Sequence, residues 1–263
     1  MTERAATVGI EAKGGVAIVR LDRPPLNVLD IATIEALDRA LAAAEDSPAA
    51  VAVISSAAPR AFSAGVDVGD HTPDRMERML RSFHAVFRRM HASRLVTVAA
   101  VRGACLGGGA ELALSCDLVF VEETAKIGLP EIRLGCFPPV ALAALADRWG
   151  PRLAELCLTG ETLDGAEAHR RGIGSRLVAE GGAEAASIAA AEAMASGSRA
   201  VLGLTARQLR RLALPHFEHA LEKAERCYLE DLAREPDMHE GIRAFMEKRP
   251  PRWGGAAPPG AGR

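Results

Sequence analysis

The chain is poor in aromatic residues: Phe, Trp and Tyr make up 4% of its 263 residues, and there is a single tyrosine. It carries little net charge, −2 at pH 7 from 32 basic and 34 acidic residues. A nucleic-acid partner calls for a basic surface with stacking rings, and both shortages argue against one. Apolar runs of about 18 residues, the length of a membrane-spanning helix, are missing. So is any C-x-x-C pair among Cys105, Cys116, Cys136, Cys157 and Cys227. An odd number of cysteines without ligand spacing reads as small buried hydrophobes in a reducing compartment. Met1-Thr2-Glu3-Arg4 opens no basic segment followed by an apolar one, so no secretory leader is expected. These exclusions leave a cytoplasmic protein, on neither membrane nor nucleic acid, as the expectation.

What is abundant is small: 25 glycines and alanine-rich runs in a chain that is 49% apolar. Small residues let backbone approach backbone and ligand closely. High apolar content at low net charge is not the composition of a disordered chain, and the length suits one large core or two small domains. Val16–Leu21 reads as a strand stopped by Arg23-Pro24-Pro25. Asp30 then caps a helix with Ile34, Leu37 and Leu41 at helical spacing, closed by Pro48, and Val51–Ser56 is a strand buried on both faces of a parallel sheet. Strand, helix and strand make one βαβ unit. The pattern repeats with a polar, glycine-bearing segment at Phe62–Asp70, a helix over 74–92, a buried strand at Thr97–Val101, a loop at Gly103–Gly109 entering a helix, and a strand at Leu118–Val121. Beyond residue 150 the chain turns helical, and Gly254–Arg263 reads as a disordered Gly/Pro/Ala tail.

Three segments carry chemistry. Gly107-Gly108-Gly109 directly before a helix leaves unpaired N–H groups at the positive end of its dipole, a place for an anion or for an oxygen that becomes anionic. Glu111 lies in the first turn of that helix, where alone it reads as a glutamate favoured by the dipole. A second glutamate, Glu131, follows Pro130 on what reads as an extended turn, and paired carboxylates can move protons on and off a substrate while positioning a water. In Ala61–Val68, Gly65 permits a turn that aims the N–H of Val66 into a pocket, so that two N–H groups from separate loops converge as an oxyanion hole. The remaining features read more plainly. The histidines show no metal-ligand spacing, and His71 reads as a cap or surface residue unless it reaches an acyl pocket. Arg88-Arg89 and Arg207, Arg210 and Arg211 read as solvated basic faces, Asp67 as a local cap, and the Met/Phe stripe at 76–90 as core or pocket wall. Phe62, Phe83, Phe87 and Phe137 are candidate pocket walls.

In this order, Asp22-Arg-Pro-Pro-Leu-Asn-Val-Leu29, Phe62-Ser-Ala-Gly-Val-Asp67, Gly103-Ala-Cys-Leu-Gly-Gly-Gly-Ala-Glu111, Cys116-Asp117, Pro130-Glu-Ile-Arg-Leu-Gly135 and Gly241–Arg249 make the chain resemble the crotonase (enoyl-CoA hydratase/isomerase) superfamily from about residue 8 to 253. The resemblance implies an α/β fold, a spiral of ββα units over residues 1–200, with a C-terminal helical region at 201–253 that packs homotrimers or dimers of trimers. It implies an acyl-CoA thioester as substrate, with coenzyme A part of the substrate and no other cofactor. Val66 and Gly108 would hold the thioester oxygen, and Glu111 and Glu131 match the two carboxylates that hydratases of the family use on water, Glu131 as principal acid/base. Leu26 and Ala64 fall along the CoA channel, and Phe245 and Lys248 where a neighbouring subunit approaches the adenine end. His71 and Phe137 fall at the acyl end. Cys136-Phe-Pro-Pro-Val140 replaces a glycine-rich turn, and Leu129 stands where Gln is common. With Asp70-His-Thr-Pro-Asp74 and Glu247-Lys-Arg249, these departures make the chain similar to the cyclohexa-1,5-diene-1-carbonyl-CoA hydratases. The alternatives are an isomerase or thioester hydrolase of the same fold and, in another class, a non-catalytic RNA-binding or scaffold member.

Overall fold

A computed structural model of the chain describes residues 7–254. From 255 onward the expected tail lies outside the described residues. The strands are β1 (Val8–Lys13), β2 (Val16–Leu21), β3 (Val51–Ser56), β4 (Ala61–Ser63), β5 (Val96–Val101), β6 (Ala104–Leu106), β7 (Leu118–Glu122), β8 (Lys126–Gly128), β9 (Thr162–Asp164) and β10 (Arg176–Val178). The helices are α1 (Ile31–Asp46), α2 (Met76–Ala92), α3 (Gly108–Leu114), α4 (Pro139–Ala144), α5 (Ala146–Trp149), α6 (Pro151–Thr159), α7 (Gly165–Arg170), α8 (Ala183–Ala195), α9 (Arg199–Ala213), α10 (Phe217–Glu230) and α11 (Pro236–Met246).

Five longer strands and the three-residue β10 form one sheet in the order β1-β2-β3-β5-β7-β10, parallel except for the β1–β2 edge. Short strands form a second sheet, β4-β6-β8-β9. Each turn of the chain lays a long strand in the first sheet, a short one in the second, then a helix: β3-β4-α2 and β5-β6-α3. This is the expected spiral of ββα units. β3 and β5 are buried along their whole length because both faces are covered. Val51 and Val53 point with Val96 and Val98 toward Ala183, Ala191 and Ala206, while Ile54 joins the larger core beneath α1 and α2. α1 begins where expected, the Asp30 carboxylate accepting from Thr33 N at 2.8 Å. α10 packs on α2 and α4, and α11 packs on the turns at 68–71 and 130–134.

Several expectations need correction. Gly103–Gly109 is no simple loop, since β6 runs through it. Pro130–Leu134 is a 3-10 turn rather than an extended one, started by Pro130 with its fixed φ and stopped by Gly135 at φ 68°. Arg210 is buried: its guanidinium bonds Asp117 and the carbonyls of Ser93 and Leu95, tying α9 to the end of α2 and the start of β5. Arg88 and Arg89 pair with Glu218 and with Asp38 and Glu45. Of the free cysteines, Cys227 is exposed while the other four are buried.

Candidate active site

Two glycine-bearing loops meet here. A Cβ built on Gly65 (φ 103°) would lie 3.0 Å from Leu106 O, and one on Gly109 2.6 Å from Ser63 O. A Cβ on Gly108 would lie 2.7 Å from Val66 Cγ2 and 3.4 Å from Val66 N. Side chains at these places would force the loops apart, which is why glycine stands there. Gly65 N donates to Ser63 Oγ, Asp67 N to Leu29 O and Gly107 N to Gly128 O. The N–H groups of Val66 and of Gly108, the first residue of α3, are left without a protein acceptor among the described residues. Asn27 holds the first loop from below. Buried at φ 50°, it donates through Nδ2 to Ser56 Oγ and Phe62 O at 2.7 and 3.0 Å and accepts from Arg23 N. Its carbonyl accepts from Ser63 Oγ. Among the residues that sequence reasoning passed over, Asn27 has the clearest signal, a polar residue between Leu26 and Val28 just after a proline turn.

Beside these loops lies a cavity of about 500 Å³. Val66, Gly108, Glu111 and Glu131 all line it, so the structure brings the four residues together. Glu111 Oε1 accepts from Ala141 N at 2.8 Å, a bond that α4 supplies because Pro138 and Pro139 start that helix against the site. Glu131 Oε2 is buried without a partner, and Oε1 of the same carboxylate lies over the α3 entrance, 3.1 Å from where a Cβ on Gly107 would be. Burial pushes the Glu111 carboxyl well above the ordinary carboxylate value, opposed in part by the Ala141 and Val140 amides. Burial, and then repulsion from Glu111, push the Glu131 carboxyl up as well. Two carboxyls raised together, next to two unspent N–H donors, can pass a proton and stabilise an oxyanion in one space.

Ala64, His71, Phe137 and Phe245 line the same cavity, whereas Leu26 and Lys248 are not among its lining residues and Arg249 is. Leu26 serves the loop through its carbonyl, which accepts from Ala64 N at 2.9 Å. Phe245 reaches the cavity of its own chain, where the resemblance implied a neighbouring subunit. His71 Nδ1 lies 3.1 Å from Asp67 O, and burial lowers the pKa of its imidazole. Asp67 caps the 68–71 turn through Gly69 N, as expected. From the Met/Phe stripe, Met79, Leu80 and Phe83 form cavity wall; Phe87 and, outside the stripe, Phe62 are core residues and not the pocket walls expected of them. Tyr228, on α10, lines the cavity without having been singled out, since nothing local distinguishes it from any buried aromatic.

The sequence profile of the enoyl-CoA hydratase/isomerase family matches residues 11–256. A cyclohexa-1,5-dienecarbonyl-CoA hydratase of Thauera aromatica is 39% identical over 247 residues, covering 94% of this chain and 95% of its own. A probable enoyl-CoA hydratase of Rhizobium meliloti is 34% identical over 247 residues, covering 92% and 96%. Among solved structures, an enoyl-CoA hydratase from Mycobacterium avium subsp. paratuberculosis superposes with a TM-score of 0.84 at 26% identity, covering 95% of this chain and 99% of that one.

Proposed function

Since this chain belongs to the enoyl-CoA hydratase/isomerase family and is a hydro-lyase of the enoyl-CoA hydratase type, we propose that it hydrates a compact, cyclic conjugated acyl-CoA thioester through Glu111, Glu131 and an oxyanion hole made by Val66 and Gly108. Cyclohexa-1,5-diene-1-carbonyl-CoA is the acyl group that its Thauera relative's name suggests. The observation that carries the mechanism is the unpartnered Glu131 Oε2, buried in a cavity that also holds Glu111 and two free N–H donors. An oxygen left unpaired there costs stability unless a water or substrate group completes it.

The chemistry follows from charge. As water attacks the β-carbon of a conjugated thioester, negative charge gathers on the carbonyl oxygen. Two fixed N–H groups, one at a helix N-terminus, stabilise that enolate more than the ground-state carbonyl. Repulsion makes it costly to ionise both raised carboxyls, so the pair holds one proton between them around neutrality. The ionised partner takes a proton from the attacking water, and the protonated partner returns one to the enolate carbon. Glu131, with its free oxygen, is assigned the proton returned to the enolate carbon, and Glu111, fixed by Ala141 N, orients the water and takes its proton. Water addition is redox-neutral, so this reading calls for no cofactor besides the coenzyme A carried by the substrate.

The blunt acyl side, where Phe137 and Tyr228 meet edge to face with ring centres 5.1 Å apart, supports a compact acyl group. On the outside of α9, exposed Val201, Leu204, Leu209 and Leu212 support the homotrimer or dimer of trimers, which light scattering would measure. The function is tested by incubating purified protein with crotonyl-CoA and with cyclohexa-1,5-diene-1-carbonyl-CoA and identifying products by mass spectrometry. A product heavier by one water is expected, with preference for the cyclic thioester. Free CoA alone, or a shifted double bond without gain of mass, would overturn the hydratase assignment.

A further inference from the structure

Tyr228, the single tyrosine of the chain, is 2% exposed and belongs to the inward stripe Phe217, Leu221, Glu225 and Tyr228 of α10. Its ring meets Phe137 edge to face and lies 6.4 Å from the His71 ring. Its hydroxyl pairs with Cys136, and burial, then Cys136, push its pKa up, so the phenol stays protonated. It lines the same cavity as Glu111 and Glu131, so its ring shares the space where a substrate's acyl group would sit.

The helix that carries it is held firmly. α10 runs antiparallel along α2 and is tied to it at three places: His84 Nδ1 to Glu225 Oε2 at 2.6 Å, Arg88 to Glu218 at 2.7 Å, and the stacked rings of His91 and Phe217 at 4.6 Å. His84 is fully buried and follows Phe83, a wall residue of the cavity, directly in the chain. One turn of α10 separates Glu225 from Tyr228. The His84–Glu225 bond therefore sets the spacing between the Met79, Leu80 and Phe83 wall and the Tyr228 ring.

We propose that Tyr228 is the specificity-determining residue of the acyl end: its ring closes the cavity beyond the carboxylates and confines the acyl group to ring size, turning away longer straight chains. The inference rests on the thioester-hydratase reading of the site. A ring buttressed by Phe137 and by a helix fixed at three points cannot swing aside, because a close-packed interior offers no room to receive it. A chain longer than the space meets it as a steric wall. Removing the ring opens room that extra methylenes can fill, and one methylene in an apolar pocket changes discrimination by roughly tenfold or more.

The test compares wild type with Tyr228→Ala, Tyr228→Phe and Tyr228→Leu on crotonyl-CoA, octenoyl-CoA and the cyclic dienoyl-CoA. The quantity read is kcat/KM for octenoyl-CoA divided by that for the better compact substrate. In Tyr228→Ala this ratio should rise by about tenfold or more, given four added methylenes, while Tyr228→Phe, which keeps the ring, leaves it below that rise. A smaller rise in a folded Tyr228→Ala, or an equal rise in Tyr228→Phe, overturns the assignment. Should thermal melting show Tyr228→Ala unfolded, Tyr228→Leu carries the same comparison with the same threshold. A wild type that hydrates none of the three thioesters overturns the hydratase reading instead, so the two failures are told apart.

Discussion

Gly108→Ala is expected to leave the fold largely intact and to remove most of the activity. The added Cβ would stand 2.7 Å from Val66 Cγ2 and 3.0 Å from Phe83 Cζ, where carbon atoms settle at about 3.5–4.0 Å. Phe83 cannot retreat freely, because the Phe87 ring lies behind it, centre to centre at 4.8 Å. Relief comes by displacing Val66, whose Cγ2 touches the added carbon and whose backbone N lies 3.4 Å from it. Val66 and Gly108 are the proposed oxyanion donors, so the same displacement should pull one N–H out of hydrogen-bond range of the thioester oxygen. Loss of one oxyanion donor lowers kcat by about 10²–10³, and overpacking costs about 1–3 kcal/mol of stability, a few degrees in Tm for a chain of this size. The assay is the loss of absorbance of the conjugated thioester on hydration, read beside a thermal melt. Gly203→Ala is the control: its Cβ would stand 2.8 Å from Arg94 O, outside the cavity, so it should lower Tm without lowering kcat of the folded enzyme. A folded Gly108→Ala enzyme with kcat within about threefold of wild type would refute the reasoning, since a lost donor costs far more than that.

Glu131→Gln and Glu111→Gln should each lower kcat by about 10²-fold or more. Near-normal turnover in the first would remove Glu131 from its role. The acid limb of the kcat profile should lie above the ordinary carboxylate range, because burial raises both groups; a limb at the ordinary value would contradict the shared proton. Stability has a definite sign here as well. The native state keeps protons that the unfolded chain releases above about pH 4.5, so stability falls as pH rises toward the raised values near 7 and 8. Glu131→Gln removes that buried charge, and its Tm at about pH 8 should exceed that of wild type in a buffer series. Arg210→Ala breaks a buried pair with Asp117 and frees two carbonyls, which should cost about 3–5 kcal/mol by denaturant midpoint. A loss below about 1 kcal/mol would mean that the pair behaves like an exposed one.

The long strands and helices were legible because their patterns are local. Val51–Ile54 is apolar on both faces, and Asp30 before Ile31 is a capping signal that needs no partner elsewhere in the chain. The three-residue strands were not legible. Ala104–Leu106 and Lys126–Gly128 are too short to show a period, and they exist because β4, β6 and β8 find one another across the spiral. Arg210 looked like solvated surface since its neighbours Arg207 and Arg211 are charged; its burial depends on Asp117 being brought to it from a distant part of the chain. Tyr228 carried no signal for the same reason.

By itself the sequence determined the chemical inventory: two glutamates, two glycine-bearing loops, and an order of motifs matched by one family along nearly the whole chain. Only the tertiary structure decided that the two glutamates line one cavity, that the Val66 and Gly108 N–H groups meet no backbone acceptor among the described residues, and that Tyr228 and Phe245 line that cavity from the far end of the same chain. The reason is physical. Backbone propensity and capping act over a few residues, whereas desolvation, charge repulsion and the pairing of a buried N–H depend on which distant segments fill the space around it.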